Sequence, residues 1–205
     1  MSKLTNDKPK TNNFQRIREL GYKQQGIISL MLIERMKPNY YLFAHVTDFP
    51  QEHNLDNMIN TLWERLLVKG AKVSLSAMED KIELLTPDEH EFDMYGVYPA
   101  LYFCTAVLSY INGLQSEDDL DTVAVAKISQ GCIVHLIEYQ ADTELDNDAV
   151  REHELMQNEM AFLSSAIDFV ESLPLKQLDA KSIRQKAIEF ALADGVTNIG
   201  IEFEV

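Results

Sequence analysis

Apolar residues recur at spacings of three and four along most of this chain, which is the pattern of amphipathic α-helices. The clearest case begins at Asp56, and one side of this predicted helix carries Met58, Ile59, Leu62, Trp63, Leu66 and Leu67. Gly70 follows the last apolar position, where a glycine in the left-handed conformation commonly ends a helix. The chain is therefore predicted to consist mainly of helices that each bury one face.

The segment from Gly21 to Met36 differs from the others because it is apolar on nearly every side. A helix of this kind belongs in the middle of a helical domain. Pro38 lacks an amide hydrogen and disfavours helix at the residue before it, so the helix is predicted to end there. A separate helix from Asn39 to Asp48 is expected to follow, with Pro38 in its first turn.

Two capping boxes predict helix starts further along the chain. Ser76 with Glu79 forms the first, and Thr86 with Glu89 forms the second, in which Pro87 occupies the first helical position. In each box the hydroxyl and the carboxylate accept hydrogen bonds from backbone amides that the helix leaves unpaired. Both starts are therefore predicted from a mechanism rather than from propensity alone.

The stretch from Phe92 to Ala100 is a junction between two predicted helices. Gly96 is expected to end the helix that starts at Thr86, and Pro99 is expected to begin the next one. Apolar periodicity then predicts helices over residues 99–113, 116–140, 156–170 and 179–191. A third capping box, Ser116 with Asp119, opens the second of these.

Two short segments alternate apolar and polar residues, which is the period of a β-strand. They are residues 71–75 and residues 199–205. A single strand cannot satisfy its own backbone, so the two segments are expected to pair with each other. Pairing of the C-terminal strand across a homodimer is the alternative.

Together these patterns predict an all-α fold, a multi-helical bundle of about seven to nine helices with a minor two-stranded β element near the C-terminus. Residues 14–205 are expected to form a single domain, because no linker interrupts them. Residues 1–13 are polar and carry too little apolar surface to pack, so they are expected to form a mobile tail.

The 205 residues carry a formal net charge of −15. Residues 1–35 hold seven lysines and arginines against three acidic residues, so the rest of the chain is more acidic still. An acidic surface repels phosphate backbones, which argues against nucleic acid as a partner. No apolar run reaches the roughly 18 residues that suggest a membrane span. A soluble, cytoplasmic bacterial protein with no membrane contact is expected.

Cys104 and Cys132 each lie within an apolar helical pattern. They are expected to be buried free thiols of a reducing compartment rather than a disulfide. Cys132 and His135 share a helix face, a spacing that could place a thiol near a base. Their apolar neighbours favour core packing, since a reactive thiolate needs partial exposure and positive surroundings.

The histidines do not form the common helical metal signatures. His90 and His153 each precede a glutamate, but neither has the second histidine of a zinc protease motif. The densest group of ligand types is Asp88, Glu89, His90, Glu91 and Asp93. Acidic residues favour a helix N-terminus through its partial positive charge, which explains most of this group without an ion. No metal and no other cofactor is expected.

Charged residues near the two proline breaks form the candidate site. A charge removed from water without a partner costs several kcal/mol, so Arg35 is expected to pair with Asp93 or with Glu34. The candidate residues are Glu34, Arg35, Asn39, Asp93, Tyr95 and Tyr98. They form either a polar site between two helix junctions or a buried latch, meaning an ion pair that holds the junctions together. The latch is the favoured interpretation, because ion-pair networks perturb charges as readily as active sites do.

Several stretches carry a resemblance to a known family. They are Glu34-Arg-Met-Lys-Pro-Asn-Tyr40, Leu62-Trp-Glu64 with Lys69 and Ala71-Lys-Val73, Phe92-Asp-Met-Tyr-Gly-Val-Tyr-Pro-Ala100, and Asn198-Ile-Gly-Ile201. In this order they resemble the YjaG-like family of bacterial proteins, a domain of unknown function, over residues 14–205. The resemblance implies a mainly helical single domain. It implies no activity, because the family has no established catalytic or binding residue to carry over.

Three functions remain open from the sequence. The first is a non-catalytic helical protein that acts through protein contacts, expected as a homodimer. The second is an enzyme or small-molecule binder that uses residues 34–39 and 93–98. An enzyme predicts that these side chains line an open pocket, whereas a scaffold predicts that they are buried and mutually satisfied. The third is an acidic partner of a basic protein, whose association would be sensitive to salt.

Overall fold

Nine α-helices account for most of the chain that the structure describes. The structure is a computed structural model, and it describes residues 12–49, 55–116 and 120–203. The helices are α1 (Asn13–Glu19), α2 (Tyr22–Thr47), α3 (Leu55–Leu67), α4 (Leu75–Leu85), α5 (Val97–Ser116), α6 (Thr122–Ala141), α7 (Asn147–Glu152), α8 (Glu154–Ser172) and α9 (Ala180–Ala191). A 3₁₀ turn, Glu89–Glu91, precedes α5. The predicted all-α fold is confirmed.

Helix α2 is the centre of the bundle. Its 26 residues pack against α3, α5, α6, α8 and α9. Its most buried side chains, each at most 1% exposed, are Ile27, Ile28, Leu30, Met31, Leu32 and Ile33. Burying one such side chain contributes about 1.5–3 kcal/mol. The all-round apolar pattern therefore marks the helix that the others surround.

Helix α2 does not end before Pro38, as the sequence pattern suggested, but continues through it to Thr47. The proline ring fixes φ at a value that a helix accepts, and the cost is a missing hydrogen bond with a clash in the preceding turn, about 3 kcal/mol. Met36, Tyr40 and Phe43 are buried on both sides of the proline, and their packing offsets this cost. The separate helix predicted from Asn39 is the second half of α2.

Helix α4 begins one residue before the predicted capping box. Its cap is Ser74, whose hydroxyl accepts a hydrogen bond from the Ala77 amide at 3.4 Å. Ser76, the predicted cap, lies inside the helix. Residues 71–74 are coil that leads into this cap, and not the strand that their alternating pattern predicted.

The junction from Phe92 to Ala100 contains a helix start but no helix end. Thr86 closes α4 by donating its hydroxyl to the Ile82 carbonyl at 2.8 Å. The helix predicted between Thr86 and Gly96 is reduced to the 3₁₀ turn Glu89–Glu91. Helix α5 begins at Val97, so Pro99 lies in its first turn, where a missing amide hydrogen is tolerated.

The minor two-stranded β element is not formed among the described residues. The C-terminal segment turns back on itself through an isolated antiparallel bridge between Val196 and Glu202. The Thr197 amide donates to the Ile201 carbonyl at 2.9 Å across the same turn. Because the segment satisfies part of its own backbone, it needs no distant strand. Residues 194–203 are called the C-terminal turn below.

Some predictions fall outside the described residues, namely residues 1–11 of the expected tail, Pro50, Asp119 of the third capping box, and residues 204–205. Asn12 is described, and its Oδ1 accepts a hydrogen bond from the Phe14 amide at 2.9 Å. Helix α1 therefore begins inside the range expected to be a tail. The division into one tail and one domain stays a prediction.

Helix α5, within the described part of the chain, is long and apolar enough to cross a membrane by length and composition alone. Its inner positions Ala100, Phe103, Val107 and Ile111 are each fully buried, and the helix packs against α2, α4 and α6. Core helices of soluble proteins share this composition, so the property is weak support for a membrane span.

Candidate functional site

Arg35 of α2 is buried at the centre of a charged cluster. Its Nη1 lies 3.1 Å from Asp194 Oδ2, and its Nε lies 3.9 Å from Glu159 Oε2. Its Nη2 donates to the Thr197 carbonyl at 3.4 Å. The guanidinium also lies 4.3 Å from the centre of the Phe162 ring. One cation thus joins α2, α8 and the C-terminal turn.

A chain of hydrogen bonds leads from Glu159 to Asn39. Ser129 Oγ of α6 donates to Glu159 Oε1 at 2.6 Å. Asn198 Nδ2 donates to the Ser129 carbonyl at 3.3 Å, and Asn198 Oδ1 accepts from Asn39 Nδ2 at 2.9 Å. All of these side chains are buried. Together with Arg35, Asp194 and Thr197 they are called the buried polar network.

Glu159 is the titratable carboxylate at the core of this network. Burial raises the pKa of Glu159 above its ordinary value, and the Arg35 guanidinium and the Ser129 hydroxyl oppose this shift only in part. The Arg35 contact of 3.9 Å is too long for a hydrogen bond, and Oε2 has no such bond within the described residues. The charge of Glu159 is therefore coupled to the stability of the fold.

Glu34, the neighbour of Arg35, belongs to a different contact. Trp63 Nε1 of α3 donates to Glu34 Oε1 at 3.0 Å. Lys37 Nζ lies 2.7 Å from Glu34 Oε2 and 3.1 Å from Asp56 Oδ1. These contacts connect α2 to α3. Consecutive residues of one helix therefore hold two different parts of the bundle.

The predicted pairing of Arg35 with Asp93 or Glu34 is wrong. Asp93 is exposed on the turn before α5, and Glu34 pairs with Lys37. The carboxylates that reach Arg35 are Glu159 and Asp194. Arg35 is buried and paired, but the contact connects α2 to α8 and the C-terminal turn rather than two proline junctions.

Tyr95 and Tyr98 lie in an aromatic cluster around His135 of α6. The ring centroids of Tyr98 and His135 are 4.3 Å apart, and those of Tyr95 and Tyr139 are 4.5 Å apart. The Tyr95 hydroxyl lies 3.4 Å from His135 Nδ1. Burial raises the pKa of the Tyr95 phenol, so this side chain stays neutral near pH 7. The cluster attaches the start of α5 to the end of α6.

The sequence-predicted site residues are therefore divided among separate places. The structure brings Arg35 and Asn39 into one network and Tyr95 with Tyr98 into one cluster, and it leaves Glu34 and Asp93 outside both. Sequence reasoning missed Ser129, Glu159, Thr197, Asn198 and Asp194. One signal was available, because Glu159 lies between Met156 and Leu163 at helical spacing, and a carboxylate on an apolar face needs a partner.

A groove of about 340 Å³ opens beside Asn39. Its walls come from α2, the start of α5, the end of α6 and the C-terminal turn, through residues that include Asn39, Val46, Met94, Pro99, Leu136 and Ile201. Large apolar side chains around it face solvent, since Leu42, Val46 and Tyr139 are 44%, 59% and 61% exposed. This site is called the apolar groove.

The rim of the apolar groove is acidic. Exposed carboxylates that lie one or two positions from a lining residue are Asp48, Asp93, Asp142 and Glu202. Two residues of chain span at most about 7 Å, so these charges are close to the opening. Lys37 lies equally near in sequence, but its amine is already paired with Glu34 and Asp56. The rim therefore presents negative charge around an apolar interior.

Asn39 gives the groove one polar feature. The Ser129 carbonyl can only accept, so the Asn198 amide must direct Nδ2 toward it and Oδ1 toward Asn39. Asn39 must then present its own Nδ2 to Asn198, which leaves Asn39 Oδ1 free. This oxygen is buried and has no hydrogen-bond partner within the described residues. The groove therefore contains an unpaired acceptor.

The other chemical candidates from the sequence do not form a site. In the described ranges, no group of three or more histidines, cysteines, aspartates and glutamates is placed to hold a metal ion, the segment from Asp88 to Asp93 included. Cys104 and Cys132 are free and buried. Burial raises the pKa of each thiol to about 12, so neither is a nucleophile at neutral pH.

Comparisons with known proteins cover most of the chain. A family model described as "Protein of unknown function (DUF416)" matches residues 12–202. The crystal structure of a DUF416 family protein from Shewanella baltica has a TM-score of 0.82 to this one, at 28% sequence identity. That match covers 93% of this chain and 98% of the other. The helical fold is therefore shared with a solved member of the family.

Two relatives extend this result. The uncharacterized protein YjaG of Escherichia coli is 32% identical over 145 residues, which is 70% of this chain and 74% of the relative. An uncharacterized protein of Haemophilus influenzae is 27% identical over 191 residues, covering 92% and 96% respectively. The YjaG-like resemblance seen in the sequence is confirmed. The chain belongs to the DUF416 family of proteins of unknown function.

Proposed function

We propose that this chain is a non-catalytic protein that acts by contact with another protein, and that the apolar groove with its rim is the contact surface. The observation that carries the proposal is the exposure of Leu42, Val46 and Tyr139 by 44%, 59% and 61% around one groove. Exposed apolar groups beside an apolar groove mark interaction sites, because covering them removes apolar surface from water.

The composition of this surface supports a protein partner. Tyr95 and Tyr139 lie with their ring centroids 4.5 Å apart beside Met94 and Leu42. Tyrosine and methionine are enriched at protein interfaces, and buried aromatic anchors carry much of the binding energy there. The rim is polar and surrounds the apolar centre, which is the usual arrangement of a protein contact site.

The side chains of the groove do not favour catalysis. Among the described residues that line it, Tyr95 is the titratable one, and burial raises the pKa of its phenol. A phenol in that state is a weak acid or base at neutral pH. The titratable pair Arg35 and Glu159 is buried in the interior and does not line the groove.

A second copy of the chain fits this surface less well than a different protein. A two-fold dimer built on the groove would place the same patch of each copy against the other. Asp48, Asp93, Asp142 and Glu202 would then lie near their own counterparts. Like charges in close contact oppose association. The homodimer expected from the sequence stays a proposal, and the experiment below includes it as an outcome.

Site-specific photo-crosslinking tests the proposal. A photoreactive phenylalanine analogue replaces Val46 in the groove wall, or, in a matched control, Leu84 of α4, which is 83% exposed. We expect crosslinks to a different protein in extract of the producing cells from position 46 and not from position 84. Adding Leu42→Asp should abolish them. Equal crosslinking from both positions, or none from position 46, would contradict the proposal, and a product of twice the chain mass would identify a homodimer instead.

A small-molecule binder at the same groove is the second candidate function. Its support is the unpaired Asn39 Oδ1 in a cavity of about 340 Å³, which lies at the lower end of the range for ligand pockets, about 300–1,000 Å³. Native mass spectrometry of the protein purified from its own cells tests it. A stoichiometric adduct that is lost in a Gly96→Leu variant, which fills the groove, would support this candidate over the first.

A further inference from the structure

The charges near the apolar groove select among protein partners. Asp48, Asp93, Asp142 and Glu202 are exposed around it, while the nearby Lys37 is already paired. Complementary charge raises the rate of association and excludes partners of the same sign. Lysine or arginine in a partner would therefore be attracted to this rim, whereas an acidic segment would be repelled.

The groove itself selects the side chain that enters it. Its walls include Val46, Met94, Pro99 and Leu136, and its volume is about 340 Å³. This space accommodates one large side chain rather than a whole helix face. Tryptophan and tyrosine are the aromatic residues that dominate binding energy at such positions.

The unpaired acceptor narrows the choice further. Asn39 is 3% exposed, and its Oδ1 has no hydrogen-bond partner within the described residues. A buried polar atom without a partner costs about 1–3 kcal/mol. An entering side chain with an N–H or O–H group would satisfy this oxygen, whereas phenylalanine would leave it unpaired.

We infer that the partner inserts one aromatic side chain bearing a hydrogen-bond donor, tryptophan or tyrosine, and that lysines or arginines flank this anchor. The inference rests on the proposed function and adds the chemistry of the partner. The anchor packs against Met94 and Leu136 and donates to Asn39 Oδ1. The flanking cations lie over Asp93, Asp142 and Glu202.

Fluorescence anisotropy with defined peptides tests this inference on the purified full chain. The probe is a fluorescein-labelled nonapeptide with one central tryptophan between lysines, and its counterpart has glutamates instead. We expect only the lysine peptide to bind. Its affinity should fall at least tenfold between about 0.1 M and 1 M salt, because the Debye length falls from about 10 Å to 3 Å. Equal binding of both peptides, or of neither, would overturn the inference.

A groove variant separates docking from general attraction to an acidic protein. Val46→Asp places a carboxylate in the wall of the groove and makes the protein more acidic. Non-specific attraction would strengthen binding of the lysine peptide, whereas docking in the groove predicts a loss of at least tenfold. Leu84→Asp adds the same charge far along the chain on α4 and should leave the affinity unchanged. Circular dichroism checks that both variants fold.

The anchor is tested by removing its donor. A peptide with naphthylalanine in place of tryptophan keeps the apolar shape but has no N–H group. We expect roughly fivefold weaker binding, the net value of one hydrogen bond. Equal affinity would overturn the role of Asn39. If the peptides fail while crosslinks from position 46 remain, the chemistry inferred for the partner is wrong and the proposed function stands.

Discussion

Arg35 Nη1 lies 3.1 Å from Asp194 Oδ2, and this contact closes the C-terminal turn onto the middle of α2. Asp194 is 48% exposed at its side chain, whereas Arg35 is only 4% exposed. The pair thus has one member in the core and one at the surface. Water can reach the aspartate, so its charge is solvated while it stabilises a cation that is not.

Removing the cation should destabilise the fold strongly. Arg35→Met leaves the buried Glu159 without its partner, and breaking a buried pair on one side costs about 3–5 kcal/mol. We expect a loss of about 3 kcal/mol in the free energy of unfolding at pH 7, measured by urea denaturation. Arg18→Met removes an exposed arginine and should change stability by less than about 0.5 kcal/mol. Equal effects of the two substitutions would show that the network is not a stabilising element.

The pH dependence of stability should depend on Glu159. Its pKa is raised in the folded protein above the ordinary value of 4.5 because of burial. The folded state therefore keeps this proton to higher pH than the unfolded chain, and its stabilising contribution is lost as the pH rises through the raised pKa. The stability of the wild type relative to Glu159→Gln should fall over this window. Parallel stability curves for the two proteins would contradict the burial effect.

Gly113 should not tolerate a side chain. A Cβ added there would lie 2.6 Å from the Leu120 carbonyl carbon, which is backbone and cannot rotate away. Gly113→Ala should cost about 1–3 kcal/mol, the range for overpacking. Gly131→Ala is the matched control, since its nearest neighbour is the Tyr102 ring at 3.2 Å and alanine favours helix by up to about 1 kcal/mol. Thermal denaturation should rank these variants on opposite sides of the wild type, or the control close to it.

Asn198 should hold the C-terminal turn closed. Asn198→Leu keeps the approximate volume but removes the bonds to Asn39 and Ser129, whose polar groups lose their partner. The Thr197 amide, which donates to the Ile201 carbonyl at 2.9 Å, should exchange with deuterium at least tenfold faster, equivalent to about 1.4 kcal/mol. Amides in the buried part of α2 should be little affected. Unchanged exchange at Thr197 would mean that the turn is held by its apolar contacts alone.

The parts of the fold that follow from local sequence could be predicted. Met58, Leu62 and Trp63 repeat at helical spacing, and α3 buries these side chains. The all-round apolar segment from Gly21 to Met36 is the centre of the bundle. Periodicity succeeds here because the burial of a helix face depends on residues of that helix.

Predictions failed where distant residues decide the outcome. Pro38 was expected to end a helix, but packing of Tyr40 and Phe43 on the central side of α2 outweighs the lost hydrogen bond. The partner of Arg35 was sought near the proline breaks. The choice of Glu159 and Asp194 depends on how α8 and the C-terminal turn meet α2, which no local pattern encodes.

The distance along the chain between Arg35 and its acceptor has a consequence for how the protein is made. Arg35 and Thr197 are separated by 162 positions, so a ribosome translates α2 long before the residues that complete its surroundings. Contacts of such separation form late and slowly, because a long loop must be closed first. The central helix of the finished bundle must therefore remain loosely packed and able to rearrange during synthesis, a stage at which exposed apolar surface makes a chain dependent on chaperones.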